Sequence, residues 1–181
     1  MLRRALAVVG LAVLGGLTAT QAAGDEPLIH VRKDEGGYVV MAQFEVAAPP
    51  DVVLRVLGDY EQIPHLLPRV KRSVVTARDG NHVVVEQTVA ARLLMFSKEL
   101  HLVLDIREDT DTIAFHDTCN QSFKNYTGWW VVRPSATGST VVYELSATPA
   151  FDVPSMVLAR LLKRDSAEMI ELLRRAMVQG R

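Results

Sequence analysis

The hydrophobic period of this chain changes partway along, and that change decides what it can fold into. From residue 70 to residue 147 apolar side chains recur at every second position, the mark of strands with one buried face. Val83, Val85, Gln87, Val89 and Ala91 share one such face. Leu100, Leu102, Leu104 and Ile106 line another, opposed by Glu99, His101, Asp105 and Arg107. Ile113, Phe115, Asp117 and Cys119 form a third, and Val141, Tyr143, Leu145 and Ala147 the last. Strands over 70–77 and 123–133, the latter around Gly128-Trp129-Trp130, complete the series, with a turn at Asp79-Gly80-Asn81.

Beyond Pro154 the period becomes helical. Leu158, Leu161, Leu162, Met169, Leu172, Leu173, Ala176 and Met177 make one stripe, and Arg160, Lys163, Arg164, Glu168, Glu171, Arg174 and Arg175 cover the other side. The charged side reads as a solvated face, with Glu171 four residues before Arg175 for an intrahelical pair. Such a helix runs to about 24 residues, or ~36 Å at 1.5 Å per residue. Upstream, a strand over 38–46 stops at Ala47-Ala48-Pro49-Pro50-Asp51, where proline and an acid open a helix. Gly58-Asp59 ends it, and a second short helical piece over 60–67 closes at Pro68.

The order is therefore strand, two short helices, six strands and one long helix. This is an α+β plan with a meandering antiparallel sheet of about seven strands. A sheet with one apolar face must bury it, and the long helix is the only large partner available. A twisted sheet curving around a helix leaves space between them. Several strand faces offer only Val, Ala and Thr to fill that space, so an apolar-walled cavity is expected.

Residues 1–22 carry a different message. Arg3 and Arg4, an apolar stretch from Ala5 to Leu17 and the small residues around Thr20 and Ala22 have the layout of a secretory signal peptide cut after Ala22. The apolar stretch is about 13 residues, short of the ~20 that span a bilayer as a helix. The expected mature protein of 159 residues is then a single exported domain over 38–178, preceded by a polar lead-in over 23–37 and placed in the bacterial periplasm. The segment takes two of the 20 basic residues and none of the 21 acidic ones, leaving 18 against 21, a balance of −3. Nothing in that balance favours nucleic acid. Cys119 is the only cysteine, so no internal disulfide can form.

The run Phe44-Glu45-Val46-Ala47-Ala48-Pro49-Pro50-Asp51-Val52-Val53, with Leu57-Gly58-Asp59-Tyr60-Glu61-Gln62-Ile63-Pro64 and Leu67-Pro68-Arg69-Val70, resembles the opening of the START-like superfamily. Its polyketide cyclase/dehydrase-like and coenzyme Q-binding branch is the most similar. Gly128-Trp129-Trp130-Val131-Val132, the strand over 141–147 and the helix after Pro154 fit the later half. The resemblance implies a helix-grip fold with a curved sheet wrapped around the C-terminal helix and one deep pocket for a hydrophobic molecule. It names no ligand and implies no cofactor.

Polar residues on apolar faces are the candidates for contact with a ligand's polar head, because burying them unpaired costs roughly 1–3 kcal/mol each. Strand parity selects Gln87, Asp117 and Tyr143, with Phe115 as aromatic bulk; helical spacing sets Asp165 and Ser166 among Leu158, Leu162, Met169 and Leu173. Gln87, Phe115, Asp117, Tyr143, Leu162, Asp165 and Met169 form the expected ligand-binding set. The five histidines lack the His-x-x-x-His spacing of a helical zinc site, and no Gly-x-Ser-x-Gly elbow or phosphate loop is present. No metal and no catalytic set are expected. Three functions remain open: a carrier of a lipid, a sterol- or hopanoid-like molecule or a quinone, with transient contact to a membrane surface; a cyclase or dehydrase using Tyr143 and Asp117; and an envelope interaction module with a vestigial cavity. The oligomeric state is left open.

Overall fold

The computed structural model describes residues 26–35, 37–93 and 96–180. The expected signal peptide over 1–22 lies outside them. Eight antiparallel strands form one sheet: β1 (Leu28–Asp34), β2 (Gly37–Val46), β3 (Val70–Asp79), β4 (His82–Leu93), β5 (Phe96–Glu108), β6 (Thr112–Asp117), β7 (Phe123–Ser135) and β8 (Gly138–Pro149). Their order across the sheet is β1-β2-β8-β7-β6-β5-β4-β3. Helices α1 (Pro50–Gly58) and α2 (Ile63–Leu66) follow β2, joined by a 3-10 turn at Tyr60–Gln62, and α3 (Ser155–Val178) closes the chain.

The sheet has one strand more than the sequence suggests. Part of the expected lead-in over 23–37 is β1, which pairs with β2 from Leu28↔Gln43 to Asp34↔Gly37. Only Ile29 and Val31 of β1 pack against the core. An edge strand buries little and keeps charge on its free side, so it leaves a faint alternation.

Elsewhere the period-2 pattern is the sheet's inner face. Adjacent pairs run across it as Ala42↔Tyr143, Tyr143↔Trp130 and Trp130↔Ile113, and Trp130 rather than Trp129 lies on the core side. Gly128 has a steric task there: a Cβ on it would stand 2.7 Å from the Phe115 ring and collide with the Glu144 carbonyl oxygen. The missing side chain lets that ring lie across β7.

α3 is 24 residues long, as its spacing predicts, and it crosses the inner face against β1, β2 and α1. It ends where Gly180, at φ +69°, donates its amide to the Met177 carbonyl, closing the helix with a left-handed glycine. Glu171 accepts from Arg175 at 2.9 Å on the solvent side. The second half of α3 is sealed, with Ile170, Leu173, Ala176 and Met177 at 0–5% exposure. In the first half only Leu158 and Ser166 are buried.

Candidate functional site

The space under the first half of α3 is a cavity of about 200 Å³. By the same measure one water needs only ~10–15 Å³, so this is no packing defect. Its floor is the inner face of four strands: Val89 and Ala91 of β4, Leu100 and Leu102 of β5, Phe123 and Tyr126 of β7, and Tyr143, Leu145 and Ala147 of β8. Its roof is α3 from Leu158 to Leu172, and the loop Leu67-Pro68-Arg69 and Phe151 close its sides. The void follows from side-chain size. Val89, Ala91 and Ala147 stand on the floor where longer side chains would reach the helix.

Four of the seven sequence candidates come together here: Tyr143, Leu162, Asp165 and Met169 all line the cavity. The other three lie on the expected face but outside the lining, and each has a local reason. Gln87 donates through Nε2 to Ser73 Oγ at 3.1 Å, its neighbour on β3. Asp117 ends β6, where the turn takes its oxygens. Oδ1 accepts from the Val103 amide (2.9 Å) and from the Cys119 amide and thiol (3.2 Å each), and Oδ2 accepts from the Asn120 amide (3.1 Å). It is a turn carboxylate with both oxygens engaged, outside the cavity lining. Phe115 packs on Tyr126, ring centroids 5.9 Å apart.

Tyr126 is the lining residue that sequence reasoning missed. It has the inward parity of Gly128 and Trp130, and its ring lies 4.8 Å from that of Phe123. Tyr143 is stacked on Trp130 at 4.1 Å. Neither the Tyr126 nor the Tyr143 hydroxyl has a hydrogen-bond partner among the described residues, and neither is sealed off from the space before it. Burial pushes the Tyr126 phenol up to about 12, and with Tyr126 nearby it holds Tyr143 well above the ordinary phenol range. Both are neutral donors near pH 7.

Among the described residues the charged groups of the lining lie on one side, where Pro68 and Glu168 are exposed and mark the rim. Arg69 donates to Glu168 Oε2 from Nη2 (2.9 Å) and Nε (3.3 Å), and its Nη2 lies 3.3 Å from Asp165 Oδ1. Asp165 is held as well by Arg164 at 2.9 Å. The Arg69 Nη1 atom is buried without a partner among the described residues. These pairs tie the α2–β3 loop to α3 across the rim.

A second depression, of about 440 Å³, lies between α1 and β3–β5 and is lined by Arg55, Asp59, Arg78, Glu108 and Asp109 with Leu54 and Ile113. Glu108 there accepts from Tyr60 (2.8 Å) and Arg78 (2.9 Å). Its lining is mostly charged, so it suits a hydrophobic molecule poorly.

Residues 39–178 match the family model described as polyketide cyclase / dehydrase and lipid transport. The chain belongs to this family. A search of curated proteins returns no match. Among solved structures, the family fold recurs in the STAR-related lipid transfer protein of Xanthomonas axonopodis, 17% identical, with a TM-score of 0.71 over 84% of this chain and 94% of that one. The Zhui aromatase/cyclase of Streptomyces is 15% identical, with a TM-score of 0.66 over 82% and 94%. A Thermus thermophilus protein is 21% identical, with a TM-score of 0.66 over 78% and 97%. These likenesses establish a helix-grip fold, in which the family's curved sheet closes around α3. The family includes both transport and cyclisation in its description, so the choice between them rests on the cavity of this chain.

Proposed function

We propose that the protein is an exported carrier or binding protein that holds a lipid-, sterol- or quinone-like molecule between the sheet and the first half of α3. The observation that carries this reading is the cavity itself: among the described residues it has carbon-lined walls, two phenols without a protein partner on its floor, and ionised groups at one rim that pair with each other. Burying ~400 Å² of apolar ligand surface at ~25 cal/mol per Å² gives a gross gain near 10 kcal/mol. Association costs of several kcal/mol reduce that to an affinity on the order of micromolar, enough for a carrier that must also release. Export adds support, because a hydrophobic molecule leaving one membrane for another must cross water. The signal-peptide pattern of residues 1–22 is the basis for the periplasmic placement, and the basic residues flanking the rim suit brief contact with anionic lipid during loading.

A cyclase or dehydrase needs a base within reach of its substrate. Asp117 is engaged in its turn, while Asp165 and Glu168, the carboxylates of the lining, are held by arginines. Binding without turnover therefore fits the geometry better. Native mass spectrometry of protein purified from its own periplasm, with organic extraction, tests the reading. A defined hydrophobic mass bound one to one is expected. Repeatedly empty, folded protein would contradict it.

A further inference from the structure

The geometry points to a ligand whose buried end is an uncharged oxygen function, a carbonyl or hydroxyl, received by the Tyr126 and Tyr143 hydroxyls on the cavity floor. This rests on the carrier reading and narrows it. Two facts about the lining lead there. Among the described residues the two phenols have no hydrogen-bond partner and face the cavity, so a hydrophobe that displaces water from them without offering an acceptor leaves donors unmade at roughly 1–3 kcal/mol each, which a ligand oxygen avoids. Among the described residues Arg69 is the one cation of the lining, and its charge is set against two carboxylates, Asp165 and Glu168, although its Nη1 has no partner. A carboxylate or phosphate head would lose its water and meet that acidic pair at the rim, or neutral phenols at the floor. An uncharged oxygen loses far less water and gains the phenol donors.

Chemically, the site selects quinone-, ketone- or alcohol-bearing hydrophobes and discriminates against ionised fatty acids and phospholipids. Tyr143 also stacks on Trp130, so an acceptor bound at its hydroxyl would be reported by indole fluorescence.

Three probes of one shape test this: 2-ethylnaphthalene, 2-acetylnaphthalene and 2-naphthoate, titrated at pH 7 into the lipid-stripped full-length mature protein and into the Tyr126→Phe/Tyr143→Phe variant. Wild type is expected to bind the ketone at least about tenfold more tightly than the carboxylate. In the double variant the ratio of ketone to hydrocarbon affinity should fall about five- to tenfold, one hydrogen bond's worth. Hydrocarbon binding should be no weaker than in wild type, and a cooperative urea transition shows that the variant is folded; each single variant should lose part of the ratio. Preference for the carboxylate would overturn the inference and make the buried Arg69 Nη1 the head site. An unchanged ratio would overturn it while leaving a hydrophobic carrier in place. Failure of all three probes to bind wild type would overturn the carrier reading and the inference together.

Discussion

The two halves of α3 carry the same kind of apolar stripe and do opposite work. In the second half Ile170, Leu173, Ala176 and Met177 are sealed into a core with α1 and the sheet, and Ile170, Leu173 and Met177 keep at most 2% of their surface. From Ser155 to Met169 the stripe stands over Val89, Ala91 and Ala147, whose short side chains do not reach it, and Leu161, Leu162 and Met169 remain half-buried. The difference lies in the partners and not in the helix. Large residues opposite one half make a core, and small residues opposite the other make a container.

Truncation should separate the halves most strongly. Leu173→Ala is expected to cost about 3–4 kcal/mol in urea unfolding, as for a fully buried leucine, whereas Leu162→Ala, which enlarges an existing void, should cost about 1 kcal/mol. Equal costs would erase the distinction. Enlargement should separate them in the other direction. Ala176→Phe overpacks the closed half and should lose about 1–3 kcal/mol, while Ala91→Phe has room and should change stability by less than about 1 kcal/mol. Ala91→Phe should nevertheless remove ligand from the purified protein, read by native mass spectrometry.

Smaller effects sharpen the picture at the rim and floor. Arg69→Met breaks the tie between the α2–β3 loop and α3. Because Arg69 is about a quarter exposed, its loss should cost no more than ~1 kcal/mol, and less in high salt. At alkaline pH the phenols add a last test. A folded-state pKa raised above the unfolded value of 10.0 means that the unfolded chain gives up its proton first. The Tyr126 contribution is therefore fully present below pH 10 and is lost as pH rises from about 10 to about 12. Tyr126→Phe should flatten the fall in stability measured across that window.

Much of this architecture was legible because buried faces leave periodic traces. The change of period near Pro154 gives α3, and the strand faces give the floor, including Tyr143. The expected set also contains Leu162, Asp165 and Met169 of the roof. What escaped did so for local reasons. β1 has only Ile29 and Val31 facing inward, too few to show alternation beside Lys33 and Asp34. Gln87 and Asp117 have inward parity, yet parity says nothing of neighbours: Ser73 stands beside one, and the β6–β7 turn closes on the other. Tyr126 carried the same parity signal as Trp130 but sits two residues before Gly128 in a segment whose tryptophans draw attention first. The Arg69–Asp165–Glu168 group joins a loop to a helix about a hundred residues later, a contact that no local pattern can announce.

The central claim is that the first half of α3 is the roof of a ligand site and the second half is not. Hydrogen exchange along α3, measured on lipid-stripped protein before and after incubation with a lipid extract of its source membrane, tests this most directly. Slower exchange confined to residues 155–172, with 173–178 unchanged, is the predicted result. Protection confined to 173–178, or no change along α3 while a ligand is demonstrably bound, would contradict it.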